Sequence, residues 1–393
     1  MSISKDVVIR TTGISKSVFI ISLVIVAAAS GVAGFFTPGL LKQSSSVITI
    51  NGAGSSFVFP LLSAIDANYT ASNPNVQINY QSVGSGAGIT DFSTKVVDFG
   101  ATDAPLSGGL IGQRANITRD TGAPLTIPES IGAVAIAYNV NGMSTGLKLN
   151  STVAAMIFQG NITQWNDPII ANMNLGVNLP SSTITVVHRS DSSGTTFIFS
   201  SWLNSSNSHF PWKLGVSKTP KWQYGTKTTY LSLPQNVGVA GGVQQNPNTI
   251  GYVELNYVLS TTPPMTYATV LNGDQNNYVL PSLTTSTYAV NNSTATLPTG
   301  DGDWSKVALL NAHGGSSYPI VSLTYVLVFK ELSVVPGMTQ AKAQAFVNYL
   351  WFVIHGGQDQ ATKLSFVALP FKVVTIDEAT IRMITYNSVT LHS

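Results

Sequence analysis

Thr183-Ile184-Thr185-Val186-Val187-His188-Arg189-Ser190-Asp191-Ser192-Ser193-Gly194-Thr195-Thr196-Phe197-Ile198-Phe199-Ser200-Ser201-Trp202-Leu203 reads as strand, loop and helix in succession. The β-branched run from Thr183 favours a strand. The apolar run from Phe197 reads as a helix. Between them lie one arginine, one aspartate and several hydroxyls. A helix N-terminus carries unpaired N–H groups and a partial positive charge. With an arginine fork and small hydroxyl residues beside it, the loop is built for a tetrahedral oxyanion.

The same cadence recurs nearer the N-terminus. Val47-Ile48-Thr49-Ile50 reads as a strand, and Asn51-Gly52-Ala53-Gly54-Ser55-Ser56-Phe57 as a Gly/Ser turn. A helix is expected from about Pro60 to Ser72, with Leu61, Leu62, Ile65 and Tyr69 on one face. Val76–Tyr80 alternates as a second strand. Gly84-Ser85-Gly86-Ala87-Gly88 reads as a loop before a short helix from about Ile89 to Lys95. Val97–Asp103 reads as a third strand ending at a carboxylate. Strand, glycine loop and helix, repeated, predict an α/β domain with a largely parallel sheet. Ligands of such sheets sit beyond the carboxyl ends of the strands. That places Ser56, Ser85 and Asp103 at one edge. A second α/β unit begins near Ile131–Asn139 and holds the arginine loop. Residues 260–317 are expected to be an irregular surface stretch. A helix is expected over 339–354.

Composition narrows the setting. The chain has 393 residues, enough for two domains. Charged residues make up only 9%, so neutral polar groups must cover the surface. A formal net charge of +2 gives no basis for nucleic-acid binding. With no cysteine, thiolate catalysis, disulfides and zinc–thiolate sites are excluded.

Lys5, Arg10 and Lys16 precede an apolar run over residues 18–36, about 19 residues, enough to span a bilayer as a helix. The basic flank places the N-terminus inside and the body outside. An uncleaved anchor is favoured over a signal peptide, whose apolar core is shorter, although Ala27-Ala28-Ala29-Ser30 leaves cleavage open. Sequons at Asn68, Asn116, Asn150, Asn161, Asn204, Asn291 and Asn292 fit a glycosylated exterior. The scarcity of charge would also suit an acidic medium.

Several motifs occur in order. They are Gly52-Ala53-Gly54-Ser55-Ser56-Phe57, Tyr80-Gln81-Ser82-Val83-Gly84-Ser85-Gly86, Val97-Asp98-Phe99-Gly100-Ala101-Thr102-Asp103-Ala104-Pro105-Leu106, and Arg189-x-Asp191-x-Ser193-Gly194-Thr195. Phe158–Asp167, Ile250–Glu254 and Tyr318-Pro319-Ile320 add to them. Over roughly residues 47–375 the chain resembles the extracytoplasmic phosphate-binding protein of the high-affinity phosphate ABC importer, the Pst family.

That resemblance implies a two-lobed, periplasmic-binding-protein-like (type II) α/β fold, its lobes joined by two crossover strands. Crossings are expected near Ala135–Asn139 and Tyr318–Val321. Lobe one would be 47–135 plus 320–393, lobe two 136–319, and residues 1–46 a cytoplasmic stub, anchor or signal and linker. The family's phosphate ligands fall on Ser56, Phe57, Ser85 and Asp103 from lobe one, and on Arg189, Ser193, Gly194 and Thr195 from lobe two. Asp191 matches a carboxylate that orients the arginine. The implied partners are inorganic phosphate and the permease and ATPase subunits of the importer, without cofactor or metal.

The chemistry fits these positions. Hydroxyls and backbone N–H groups donate to phosphate oxygens, and Arg189 supplies charge and a bidentate fork. Asp103 is informative because an ionised carboxylate only accepts hydrogen bonds. It can pair with a phosphate that keeps a proton and repels sulfate. A binding protein for another oxyanion, sulfate or molybdate, is the nearest rival. A phosphate-ester hydrolase is a weaker one. There is no G-x-S-x-G elbow, no metal-ligand spacing among the histidines and no P-loop, so no enzyme is expected. His188 ends a β run and is expected to point away from Arg189. Gly84-x-Gly86-x-Gly88 does not meet the dinucleotide spacing.

Overall fold

The computed structural model describes residues 47–109, 112–222 and 229–392. The expected anchor or signal over residues 18–36 lies outside them. Among the described residues no helix is long and apolar enough to cross a membrane.

The chain opens with β1 (Ile48–Gly54), α1 (Phe59–Ser72), β2 (Val76–Ser82), α2 (Ser85–Ser93) and β3 (Phe99–Thr102). Strand β1 lies between β2 and β3, parallel to both. The first glycine stretch is therefore strand rather than turn as far as Gly54. Its glycines answer a packing demand. A β-carbon on Gly52 would lie 2.1 Å from the Phe99 ring, and one on Gly54 2.0 Å from the Ala101 carbonyl oxygen. The second glycine stretch is likewise not a loop, since α2 starts at Ser85, four residues before the expected Ile89. A β-carbon on Gly88 would meet Gly54 Cα at 2.4 Å, so a helix can lie on β1 only without one. Asp103 follows the end of β3, as expected for that strand.

Next come α3 (Gln113–Asp120) and the long β4 (Pro124–Asn139). Fifteen of its sixteen residues are buried. A strand covered on both faces has no polar side to show, which is why Gly132–Tyr138 reads as an unbroken apolar run. The following part contains β5 (Lys148–Leu149), α4 (Ser151–Phe158), α5 (Pro168–Met173), β6 (Thr185–Arg189), α6 (Gly194–Leu203), β7 (Thr229–Leu233), α7 (Gln235–Gln245), β8 (Thr249–Glu254) and α8 (Leu255–Leu259). Residues 260–317 are more ordered than the sequence suggests: β9 (Thr266–Tyr267), β10 (Thr269–Leu271), β11 (Tyr278–Val279) and α9 (Leu283–Asn291) lie within them. Short segments of Thr and Asn carry little periodicity, and these strands form by pairing, β9 with β4, β10 with β5 and β11 with β10. The chain closes with β12 (Val321–Phe329), α10 (Gln340–Ile354), α11 (Phe371–Ile381) and the hairpin β13 (Thr385–Tyr386) and β14 (Val389–Thr390).

One sheet runs through the molecule in the order β2-β1-β3-β12-β4-β8-β6-β7, with β9 added to β4. It is mixed, not largely parallel. Its two ends are parallel, but β12 and β4 run antiparallel through the middle. Strand β4 changes partner along its length. Pro124–Ala133 pairs with β12, and Val134–Asn139 with β8. At the change, Val134 N donates to Ile320 O at 2.9 Å and the Tyr318 hydroxyl donates to Val134 O at 2.7 Å. The carboxyl ends of β1 and β3 come from one half of the sheet, that of β6 from the other.

Candidate anion site

Strand β6 ends at Arg189, and α6 begins at Gly194 with Ser193 as its N-cap. The Ser193 hydroxyl accepts from Thr196 N at 3.0 Å, which occupies one lone pair and fixes the helix start. Gly194 and Thr195 fall in the first helical turn. The Arg189 side chain is 1% exposed. Its Nε donates to Asp191 Oδ1 at 2.7 Å and its Nη2 to Asp191 Oδ2. Nη1 reaches Thr195 Oγ1 at 3.3 Å. Burial of Asp191 works against its charge, but the Arg189 fork and the Gln235 N–H outweigh it and hold its carboxyl below the usual range.

The facing loops come from β1, α2 and β3. Ser56, Phe57, Ser85 and Asp103 are all buried. The Phe57 ring is core, set edge-on to Phe366 with ring centroids 6.1 Å apart, and only its backbone borders the site. Gly132 admits the ring: a β-carbon there would meet it at 2.4 Å. The Phe57 N–H donates to Ser55 Oγ at 2.9 Å, and the Ser55 hydroxyl donates to Asp103 Oδ1. Ser85 Oγ accepts from Asp103 N at 3.2 Å and donates to Asp103 Oδ2 at 3.3 Å. Burial pushes Asp103 up to about 6, opposed by the Ser55 bond, the Arg189 charge and the Ser85 bond.

The two sets of loops meet. Gly86 N donates to Ser192 O at 2.8 Å. A β-carbon on Gly84 would lie 2.2 Å from Asp191 Oδ2, and one on Gly194 2.4 Å from both Asp103 Oδ2 and Ser85 Oγ. The eight expected ligand positions are buried and gather with the half-buried Asp191 in one constellation. Arg189 and Asp191 cancel in charge, and Asp103 adds a further negative charge once ionised. Attraction for an anion must therefore come largely from hydroxyl and N–H dipoles aimed at one region.

Sequence reasoning missed Ser55, Gln235, Asn236 and Tyr257. Asn236 begins α7 beside Gln235, is fully buried, and donates from N and Nδ2 to Ser56 Oγ, each at 3.1 Å. Its Nδ2 also donates to Thr195 Oγ1 at 3.0 Å. Gln235 N donates to Asp191 Oδ1 at 3.0 Å, and the Tyr257 hydroxyl to Ser56 O at 2.7 Å. The only signal available was Pro234 opening a helix with Asn behind it, a common pattern that names no ligand.

The His188 ring stacks on Trp222 with centroids 4.5 Å apart, and its Nδ1 lies 2.9 Å from the Arg189 carbonyl oxygen rather than in contact with the guanidinium. Burial lowers its imidazole pKa. Among the described residues no group of three or more His, Asp or Glu is placed to hold a metal ion.

Residues 42–351 match the model of the PBP superfamily domain. The phosphate-binding protein PstS of Xylella fastidiosa is 35% identical over 349 residues, which cover 87% of each chain. The phosphate-binding protein PstS of Methanocaldococcus jannaschii is 31% identical, over 87% of this chain and 88% of its own. The chain belongs to the PBP superfamily, within the family of the phosphate-binding protein PstS. The phosphate binding protein of Stenotrophomonas maltophilia superposes with a TM-score of 0.63 at 18% identity, over 85% of this chain and 93% of that one. That likeness extends the family assignment to the architecture. This PstS-family chain has the two-lobed α/β fold of periplasmic binding proteins.

Proposed function

We propose that this protein captures inorganic phosphate outside the cell and hands it to an ABC-type phosphate permease, without chemistry. The observation that carries this reading is the pairing of Arg189, held by Asp191, with Asp103 across a sealed contact lined by hydroxyls. The PstS relatives agree with it. Ser56, Ser193 and Thr195 would donate hydroxyls and Gly194 and Thr195 backbone N–H groups, while Ser85 turns its proton to Asp103 and the Phe57 N–H is shared with Ser55 Oγ. Arg189 would add a guanidinium donor whose charge Asp191 offsets. The lobes would meet where β4 changes partner, near Ala133–Val134 and Ile320. Lobe one is then the half with β1, β2, β3 and β12, and lobe two the half with β6, β7 and β8.

Asp103 is the proposed discriminator. Ser55 Oγ accepts from Phe57 N and Ser85 Oγ from Asp103 N, so both hydroxyl protons turn to the carboxylate. That arrangement favours an accepting Asp103, which pairs with a protonated phosphate oxygen and repels fully ionised sulfate. Closure of the lobes excludes water and strengthens each of these bonds.

The apolar segment 18–36 would hold the body on the outer face of the membrane beside its permease and ATPase, raising the local concentration. Asn68, Asn161, Asn204, Asn291 and Asn292 are exposed and open to glycosylation. The deciding experiment is calorimetric titration with phosphate and with sulfate. Tight binding of phosphate alone is expected, and equal affinities would end the phosphate assignment.

A further inference from the structure

We infer that Asn236 is a positioning residue that makes Ser56 and Thr195 obligate donors, so that the ligand oxygens they meet must be unprotonated. This rests on the phosphate reading and specifies the ligand form the site accepts.

A hydroxyl offers one proton and two lone pairs. The Ser56 oxygen accepts from Asn236 N and from Asn236 Nδ2, at 3.1 Å each. The Thr195 oxygen accepts from Asn236 Nδ2 at 3.0 Å and from Arg189 Nη1 at 3.3 Å. Both oxygens have their lone pairs filled, and each is left with a proton to give. The carboxamide cannot be turned round. Its Oδ1 accepts from Glu254 N at 3.0 Å, and a flip would set an NH2 against that N–H and an oxygen between the two hydroxyls.

Asn236 is fully buried, so water does not compete for these bonds. It also joins the two halves of the sheet, because Ser56 follows β1 and Thr195 lies in α6. The polarity of the site then divides in two. At Ser56 and Thr195 only donors face the ligand. At Asp103 an acceptor does. A tetrahedral anion fits with bare oxygens toward the first pair and its proton toward Asp103. A ligand protonated on the Ser56–Thr195 side would set donor against donor.

The test compares wild type, Asn236→Ala and Asn236→Asp by calorimetric titration of inorganic phosphate from pH 5 to pH 8, with melting curves to confirm folding. Asp103, Arg189, Asp191, Glu254 and Tyr257 also face this region and are present in all three proteins. The readout is therefore each variant's affinity relative to wild type. Asn236→Ala should weaken binding by about tenfold to a hundredfold at every pH, because the freed lone pairs let the hydroxyls turn. Asn236→Asp keeps the shape and the bond from Glu254 N–H. When ionised it accepts from both hydroxyls and draws their protons from the ligand. It should bind at least a hundredfold more weakly at pH 8 and recover tenfold or more toward pH 5, where a neutral acid donates again. A folded Asn236→Ala protein within threefold of wild type, or an Asn236→Asp deficit that does not vary with pH, overturns the inference. Failure of wild type itself to bind phosphate would instead remove the reading beneath it.

Discussion

Gly194 lies directly against Asp103: a β-carbon at position 194 would come within 2.4 Å of the Asp103 Oδ2 oxygen and of Ser85 Oγ. Two loops far apart in sequence approach until only a hydrogen atom fits between them. Gly194→Ala should hold the lobes apart while leaving each intact. Overpacking of this kind costs about 1–3 kcal/mol, so phosphate affinity should fall roughly tenfold to a hundredfold. Titration with the melting temperature in parallel checks this. Unchanged affinity would mean that ligand binding does not use this closed contact.

Arg189→Ala should remove a charge-assisted contact and leave the half-buried Asp191 without its cationic partner. A loss of about 2–5 kcal/mol in binding is expected. Arg189→Lys keeps the charge but not the fork onto Asp191 Oδ1 and Oδ2. It should bind phosphate with an affinity between those of wild type and the alanine variant. A titration in which all three proteins match would place the ligand elsewhere.

Asp103→Asn should narrow the preference for phosphate over sulfate by a factor of about a hundred or more, since the amide offers a donor where sulfate was repelled. Burial places the Asp103 carboxyl near 6. Wild-type phosphate affinity should therefore drop as pH falls through that value and the acceptor is lost. The variant's profile should stay flat there. Competition between the two anions from pH 5 to pH 8 measures both effects.

Stability against pH should follow the buried carboxyls. Burial pushes Asp66 up to about 7, against its bond from Tyr349, and raises Asp103, Glu129, Glu254 and Asp377 as well. Each group holds its proton more tightly folded than unfolded. Its contribution is complete below the ordinary carboxylate value and is lost as pH rises through the folded one. For Asp66 that amounts to on the order of 3–4 kcal/mol between about pH 4 and pH 8. Glu331 runs the other way. Burial opposes its charge, but bonds from Ser333, Ser388 and Thr385 hold it at about 2, so its contribution is lost as pH falls toward that value. The melting temperature of the ligand-free protein should climb from pH 8 to a maximum near pH 4–5. Asp66→Asn should flatten that slope. A melting temperature that rises steadily to pH 8, or unfolding just below pH 4, would count against adaptation to an acidic medium.

The Arg189–Thr195 loop was legible because every part of it is local: a β-branched strand, a capped helix start, and an arginine two residues from its aspartate. Ser56, Ser85 and Asp103 were legible as ends of strand–loop–helix units. The glycines were misread. Gly52, Gly54 and Gly88 suggested turns, whereas they lie in a strand and a helix whose neighbours leave no room for a β-carbon. The mixed sheet was hidden as well, because strand direction depends on what β4 and β12 pair with. Asn236 was silent, since an asparagine at a helix start has many ordinary uses.

The sequence by itself determined the alternation of strands and helices, the loops of the proposed anion site and the family, because propensity, capping and motif order are properties of neighbours along the chain. Tertiary structure decided the partner change within β4, the start of α2 at Ser85, the raised carboxyls and the turning of two hydroxyls by Asn236. Those depend on groups brought together from distant segments in a space closed to water, where one hydrogen bond or one missing β-carbon decides which arrangement fits.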